Sequence, residues 1–326
     1  MLTLSNCNNN PVSGNVDTPG RRDYTWTVDT LDSFNPLYRL WGSSTSDVWA
    51  FTSDLIYHYN GSRWETKNYR NLGPFSIWGT SSNNIYMGDQ NGGIWHYDGT
   101  DFKETASLTK DGHSDIVFDN MWGDSPDDIY ATGAYMDENG LANNSVIAHY
   151  SDNKWTMLNT DGIKGIVERL FKNKSDNKIY LMTTLIGGGA FHDSTCIYEY
   201  AQEIYKEIYS SLESKGLQAD LSLINGEVYF ILGNKIAKRI NNTFQTFLEI
   251  DNPNFYQRIW GRNSEDIFLF MTDGLAHYNG TDIKYLIHFT MPRNHIGLAQ
   301  LFDTSVFLLV DESPTNLSLI YNGVIK

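Results

Sequence analysis

The chain has 326 residues, of which 14% are aromatic, with 27 glycines and only 8 prolines. This length fits two domains or one large all-β body, and 40% hydrophobic residues are enough for a packed core. The apolar runs are too short to cross a bilayer. A net charge of −15 opposes binding to nucleic acid or to an anionic membrane, because both carry dense negative charge. We therefore expect a soluble globular protein with no nucleic-acid partner.

The first 21 residues, 1–21, are predicted to be a flexible tether, because the stretch after Cys7 is polar and rich in asparagine. The segment Leu4–Cys7 resembles the end of a bacterial lipoprotein signal, in which the cysteine becomes the lipid-bearing first residue. The basic start and most of the apolar run of such a signal are missing. Cys7 is thus a lipidation candidate, and a chance cysteine in a frayed end stays open as the alternative. The other cysteine, Cys196, leaves no disulfide framework.

The rest of the chain repeats one pattern, in which an apolar residue, Trp and Gly precede a polar turn and a second apolar strand. The clear copies contain the pairs Trp41-Gly42, Trp78-Gly79, Trp122-Gly123 and Trp260-Gly261. Weaker copies begin near Leu170, Leu223 and Leu301, which makes seven units of about 43 residues. The second half of a unit, such as Ile56–Trp64, places Asn-Gly or Asp-Gly between apolar runs. That pattern predicts a hairpin with a primed turn.

Each unit predicts four short antiparallel strands, and seven such units predict an all-β, seven-bladed β-propeller over residues 22–326. The last unit stops where its fourth strand is due. Near the other end, Asp23–Asp29 matches the fourth-strand pattern seen in Arg63–Lys67. We therefore expect the N-terminal strand to complete the last blade and close the ring.

The pattern Trp-Gly-x-Ser-x-x-Asp-Ile-Tyr, followed by Ile-x-His-Tyr-Asp-Gly-x-x-Trp, resembles a repeat of secreted and lipid-anchored bacterial propellers. The resemblance covers residues 22–326, and the units near Leu170, Leu223 and Leu301 depart from it because they lack the Trp-Gly pair. It implies a protein of the cell envelope or the extracellular space. It implies no established catalytic residues, although some relatives are labelled glucosyltransferases. Because propellers are often monomeric, we also expect a monomer.

The polar residues of the repeat have expected structural roles. One slot holds a histidine in four units, at His58, His96, His149 and His277. Equivalent residues of different blades cannot converge on one metal ion, so we expect each ring to be hydrogen-bonded inside its own blade. Another slot holds an aspartate that we expect to accept hydrogen bonds from turn amides, at Asp47, Asp128 and Asp266. The repeated tryptophans either pack between blades, which their period favours, or line sugar pockets.

The connections between second and third strands, and the crossovers between blades, emerge on one face of such a propeller. They are long in neighbouring units, at 133–145 and 185–195 and in the crossovers around 110–115 and 211–215. Long loops on a rigid scaffold often carry binding residues, so this face is the candidate site. Neutral drift in tolerated loops is the alternative. The candidate binding residues are Tyr135, Asp137, Glu138, Phe191, His192, Asp193 and His113.

Aromatic, carboxylate and imidazole groups suit a protein, a carbohydrate or a cation. No cofactor is expected apart from calcium, whose signal is weak because residues 137–140 lack the alternating oxygen ligands of a calcium loop. The motifs Gly-x-Ser-x-Gly and His-Glu-x-x-His do not occur. The sequence therefore favours a non-catalytic binding or scaffold propeller of the bacterial cell envelope, in contact with a membrane only through a lipid anchor. The alternative is a carbohydrate-active hydrolase that uses acidic residues of the same face, because glycosidases need paired carboxylates.

Overall fold

A computed structural model of the chain describes residues 19–31, 37–52, 55–67, 72–187, 193–212, 218–289, 294–312 and 317–326. These residues form seven antiparallel sheets of four strands each, arranged as the blades of a propeller. The seven-bladed β-propeller expected from the repeat is therefore confirmed. The described part of the chain contains no helix with the length and apolar character of a membrane span.

The strands run from the inner to the outer edge of each blade, except that the first strand of the chain lies in the last blade. Blades 1 and 2 contain β2 (Arg39–Ser44), β3 (Asp47–Phe51), β4 (Ile56–Tyr59) and β5 (Trp64–Lys67), then β6 (Pro74–Ser81), β7 (Asn84–Asp89), β8 (Gly93–Tyr97) and β9 (Phe102–Ser107). Blades 3 and 4 contain β10 (Val117–Ser125), β11 (Asp128–Tyr135), β12 (Asn144–Ser151) and β13 (Lys154–Met157), then β14 (Ile166–Lys172), β15 (Ile179–Leu185), β16 (Ser194–Ala201) and β17 (Ile204–Leu212). Blades 5 and 6 contain β18 (Ala219–Ile224), β19 (Glu227–Leu232), β20 (Lys235–Ile240) and β21 (Thr243–Glu249), then β22 (Phe255–Asn263), β23 (Asp266–Met271), β24 (Gly274–Tyr278) and β25 (Ile283–His288). Blade 7 contains β26 (Asn294–Leu301), β27 (Ser305–Glu312), β28 (Leu317–Ile325) and β1 (Tyr24–Leu31).

The core lies between successive blades, because each blade is covered on both faces by its neighbours. The second strands β3 and β23 are accordingly buried along their whole length. One apolar cluster joins Ile94 of blade 2 to Ile129 and Val146 of blade 3. Strands covered on both faces read as continuous apolar runs rather than alternating ones, which explains the composition of these segments.

A large side chain of one blade covers a glycine of the next blade. A Cβ atom at Gly79 would lie 2.9 Å from the ring of Trp41, and one at Gly123 would lie 2.6 Å from the ring of Trp78. In the weaker units Ile224 replaces the ring and lies over Gly261. The Trp-Gly pair therefore serves two interfaces at once, which confirms the packing role of these tryptophans.

The outer hairpins that contain Asn-Gly or Asp-Gly differ from the expected primed turns. In the loop after β4, Gly61 has a φ of 92° but Asn60 does not share the left-handed conformation. Instead the Asn60 side-chain oxygen accepts hydrogen bonds from the backbone N–H groups of Ser62 and Arg63, at 3.1 and 3.2 Å. Two consecutive residues with positive φ occur in hairpins without glycine, at Asp152-Asn153, Gln202-Glu203 and Asn241-Asn242. The polar side chain thus fixes the four-residue turns of the clear units.

The N-terminal strand closes the ring as expected. β1 pairs antiparallel with β28, from Tyr24 opposite Ile325 to Leu31 opposite Ser318. Gly20 lies inside the segment expected to be a tether but contacts blade 6, because its N–H donates to the Glu265 carbonyl at 2.8 Å. Residues 1–18 lie outside the described residues.

The segment before β1 also joins blade 7 to blade 6. The Arg22 guanidinium donates to the ring nitrogen Nδ1 and to the carbonyl of His277, at 3.3 and 2.8 Å, and forms an ion pair with Asp282. His277 is completely buried. The N-terminal segment therefore contributes to two blades.

Replacing Gly123 by Ala should lower the free energy of unfolding by about 1–3 kcal/mol, because the new methyl group would overlap the Trp78 ring. Gly297→Ala is the matched control, since its Cβ would have no neighbour closer than 3.6 Å and neither glycine has a positive φ. We expect the control to change stability by less than about 0.5 kcal/mol. Denaturant unfolding of both variants checks this, and equal stabilities would contradict the proposed contact.

Candidate functional site

The long connections lie at one end of the ring, which we call the loop face. In the described residues it contains the loop 136–143 of blade 3, the loop 186–187 with Asp193 of blade 4, and the crossovers 108–116 and 158–165. Strands β11 and β12 extend further than the sequence indicated, so the blade 3 loop is shorter than 133–145. The opposite end, which we call the turn face, contains the short turns and outer hairpins.

The blade 3 loop is organised by the carboxylate of Asp137. Its Oδ1 accepts hydrogen bonds from the backbone N–H groups of Asn139 and Leu141, at 2.8 and 3.0 Å. These bonds, first among them the one from Leu141, lower the pKa of Asp137. Glu138 lies exposed beside it. A carboxyl group with a lowered pKa is a poor general acid, so Asp137 does not favour the hydrolase hypothesis.

Asn143 ties the two long loops together. Its Nδ2 donates to the carbonyl of Ile186 at 3.0 Å, and its Oδ1 accepts from the Ile186 N–H at 2.9 Å. Its own carbonyl accepts from the N–H of Gly165 in the following crossover, at 2.8 Å. Three connections from two blades therefore meet at one residue, through its side chain and its backbone carbonyl, and this specific junction favours a built surface over neutral drift.

Two candidate residues, His113 and Tyr135, are in direct contact. Their rings stack with centroids 4.6 Å apart, and the Tyr135 hydroxyl donates to the Asp111 carboxylate at 2.8 Å. Burial, with the hydrogen bond to Asp111, raises the pKa of Tyr135 to about 12. Because the Tyr135 ring is buried and covered by the His113 ring, it holds the crossover turn in place and does not offer its face to a sugar.

A cavity of about 640 Å³ opens beside the His113–Tyr135 contact, between the crossovers that flank blade 3. It is lined by Lys110, Asp111 and Tyr135, by residues 143–145, and by residues 157–164. Its volume falls in the range of known ligand pockets. Two of the loops that the sequence singled out, 110–115 and 133–145, therefore contribute to the lining of this cavity.

The mouth of the central channel forms a second concave region on the loop face, which the sequence reasoning missed. Cavities of about 370 and 220 Å³ meet there and share Glu168 and Arg258. Asp220 accepts from Arg258 at 3.0 Å and lies 3.5 Å from Arg169. Arg39 lies 3.9 Å from Asp119, and burial lowers the pKa of the arginine and raises that of the aspartate.

Backbone irregularities accompany most of the inner strands at this end of the ring. The inner strands β6, β10, β14, β22 and β26 all carry a register shift near their loop-face end. In β22 the shift includes Gln257, a non-glycine residue with a φ of 56°, and leaves Tyr256 half exposed. Strain of this kind often accompanies functional sites. A charged residue two or three positions before three of the four Trp-Gly pairs, at Arg39, Asp119 and Arg258, was the available sequence signal.

The remaining candidate residues are not brought into one site. Asp193 lines the cavity of about 220 Å³, and its Oδ1 accepts from the N–H of Gly187 at 2.9 Å. Phe191, His192 and Cys7 lie outside the described residues. Within the described ranges, no group of three or more His, Cys, Asp or Glu side chains is arranged to hold a metal ion.

The repeated histidines are each hydrogen-bonded inside their own blade, as expected, but the partners of the repeated aspartates differ from the expectation. His58, His149 and His277 each contact the aspartate that precedes the second strand of the same blade, at 2.7 Å. These aspartates therefore bond imidazole rings and not the turn amides that we predicted. The reason is the antiparallel register, which places the third-strand histidine opposite the second-strand aromatic and beside the aspartate.

The Asp266 pair is the most buried of these contacts. Burial disfavours the charged form of Asp266, but hydrogen bonds from His277 and Arg262 outweigh burial and lower its pKa. A carboxylate with a lowered pKa stabilises the fold above its ordinary pKa, and this contribution is lost as the pH falls through the folded-state value.

Asp266→Asn should therefore lower the free energy of unfolding by about 3 kcal/mol at neutral pH, because it leaves buried Arg262 without its carboxylate. The difference from the wild-type protein should shrink below about pH 4, because there the unfolded wild-type chain takes up a proton at its ordinary pKa while the folded carboxylate, whose pKa is lowered, stays charged. Denaturant unfolding over a pH series measures both quantities. Asp152→Asn, at an exposed hairpin position, is the control that should change nothing, and a pH-independent difference for Asp266→Asn would contradict the assignment.

Known proteins resemble this chain in fold only. No family model matches the chain, and no curated protein matches it with significant similarity. Among solved structures, YCF48 bound to a D1 peptide superposes with a TM-score of 0.66 at 12% identity, over 95% of this chain and 100% of that chain. The β-propeller domain of Cps50 (Swd1) from Myceliophteria thermophila gives a TM-score of 0.59 at 10% identity, over 90% and 99% of the two chains. The WD40 propeller domain of Doa1 gives 0.57 at 10% identity, over 91% and 97%. At these identities the likeness shows the propeller fold alone.

Proposed function

We propose that this propeller is a non-catalytic binding protein that recognises an extended segment of a protein partner on its loop face. One observation carries the proposal: three cavities, of about 640, 370 and 220 Å³, open on that face, whereas a cavity of about 520 Å³ opens on the turn face. The cavity of about 640 Å³ lies beside connections that Asn143 and the His113–Tyr135 contact hold in fixed positions. A pre-organised surface lowers the entropic cost of binding a flexible segment.

The fold neighbours support a protein as the partner. YCF48 was solved with a peptide bound, and it aligns along nearly the whole of both chains. A carbohydrate ligand has less support, because the Tyr135 ring that was expected to stack on a sugar is buried. Hydrolysis has less support as well, because the hydrogen bonds around Asp137 lower the pKa of that carboxyl group.

We further propose that the protein belongs to the bacterial cell envelope and is anchored through Cys7. The described chain starts at Pro19, and Gly20 lies against Glu265 in a turn of the turn face. An anchor attached through this segment would leave the loop face pointing away from the membrane, free for a partner. Intact-mass spectrometry of the protein from its native host should find a diacylglyceryl group on Cys7, and an unmodified Cys7 would refute the anchor.

The loop-face assignment can be tested with two exposed apolar residues on opposite ends of the ring. Met136 on the loop face is 51% exposed, and Ile240 on the turn face is 44% exposed. Peptides are first selected on the wild-type protein from a phage-displayed random library. Met136→Asp should then weaken their binding at least tenfold, or about 1.4 kcal/mol, because it adds a charge beside the largest cavity.

Ile240→Asp is the matched control, because Ile240 lines the cavity of about 520 Å³ on the turn face, and it should leave the dissociation constants unchanged. Isothermal titration calorimetry with the selected peptides measures both variants. Equal loss in both variants, or loss in the Ile240 variant alone, would place binding elsewhere. A selection that yields no peptide would contradict the proposed function itself.

A further inference from the structure

Lys110 differs from the other half-buried lysines and arginines of the described chain. The half-buried arginines and lysines have a carboxylate within 4 Å, with two exceptions, Lys110 and Lys238. Lys238 lies over the rings of Tyr229 and Phe247, at 4.7 and 5.4 Å from their centroids. Lys110 has no aromatic ring in this position and is left with neutral partners.

Those neutral partners use two of the three N–H groups of the ammonium. Lys110 Nζ donates to the carbonyl of Leu158 at 3.3 Å and to the hydroxyl of Thr160. The Thr160 hydroxyl in turn donates to the carbonyl of Ser145 at 2.9 Å. A lysine ammonium has three donors, so one donor remains for a group in the cavity that Lys110 lines.

The charge around this ammonium is incompletely compensated. Burial lowers the pKa of Lys110, and the carboxylates of Asp111 and Asp161 act on it only from a distance. Asp111 accepts instead from the Tyr135 hydroxyl, and Asp161 from the side-chain amide of Asn159. A carboxylate placed in the cavity would supply the close counter-charge that is missing.

The cavity is also a place where an anion meets little repulsion. The chain as a whole carries a net charge of −15. The charged residues that line this cavity, Lys110 and Lys164 against Asp111 and Asp161, balance. Lys164 is exposed at the rim, so a second cation is available to an incoming carboxylate.

We propose that the 640 Å³ cavity binds a carboxylate of the partner segment, with the Lys110 ammonium as its anchor. The carboxylate belongs either to an Asp or Glu side chain or to the C-terminus of the segment, since both present the same group. This inference rests on the proposed function and adds the chemical class of the recognised group. A lysine that only fastened one crossover to the next would be indifferent to a carboxylate ligand.

The test uses the peptides selected on the wild-type protein, each synthesised in three forms. One form is native, one is amidated at the C-terminus, and one has Asn and Gln in place of Asp and Glu. At least one neutral form should bind the wild-type protein at least tenfold more weakly than the native peptide. This preference should disappear in Lys110→Met and persist in Lys110→Arg, because arginine keeps the charge.

Lys154→Met is the control, since it removes an exposed lysine of blade 3 at the turn face. This variant should keep the full preference for the native peptide. Equal binding of all three forms to the wild-type protein would overturn the carboxylate assignment while leaving the proposed function intact. A preference that survives in Lys110→Met would overturn the role of Lys110. A selection without any peptide would overturn both proposals.

The Lys110→Met variant also loses two hydrogen bonds between crossovers and has to be checked for folding. If it does not fold, acetylation of the wild-type protein decides. The native peptide should slow the modification of Lys110 at least tenfold, whereas the neutral form that binds more weakly, at the same occupancy, should not. Equal protection by both forms would overturn the proposal.

Discussion

The contact of a large side chain with a glycine of the next blade is the constraint on which the ring depends. A side chain of any size at Gly123 would push the Trp78 ring away, and the two blades could not approach closely. The same contact explains why weaker units remain in register, because Ile224 takes the place of the ring over Gly261. Close approach of the blades then buries second strands such as β3 on both faces. The loops take no part in this packing between blades, so their residues are available for a binding site.

The fold could be predicted from the sequence because its determinants recur. The four Trp-Gly pairs together with three weaker copies of the repeat predicted the number of blades, and the aromatic residues around Trp26 indicated the closing strand. The turn type of the Asn-Gly hairpins could not be predicted in the same way. At Asn60, hydrogen bonds to the side-chain oxygen fix the turn without a left-handed backbone conformation of that residue. The charged channel mouth was also not predicted from the sequence, because Arg169, Asp220 and Arg258 come from three separate blades. They meet only in the folded ring. Such convergence depends on register shifts that no periodic pattern records.

The sequence predicted that the long loops share one end of the ring, but not what their side chains contact. Three cavities open at that end, yet the residues chosen for their side chains mostly hold the loops. Tyr135 and His113 stack on one another, and Asp137 binds its own loop. The informative residue was Lys110, which has an unremarkable sequence context. Its importance follows from the nearby carboxylate that it lacks, and this is visible only when the residues around it in the fold are known.

The closing strand has a consequence for the order in which the molecule is made. Tyr24 pairs with Ile325, so the strand of the ring that is synthesised first is joined to the strand of the ring that is synthesised last. Blades 1–6 consist of contiguous segments and can form while synthesis continues, whereas blade 7 waits for β28. During that interval the β1 edge has no hydrogen-bonding partner, which exposes it to pairing with other chains. The contacts of greatest sequence separation therefore form last, and ring closure is the step at which folding of this protein is most open to interference.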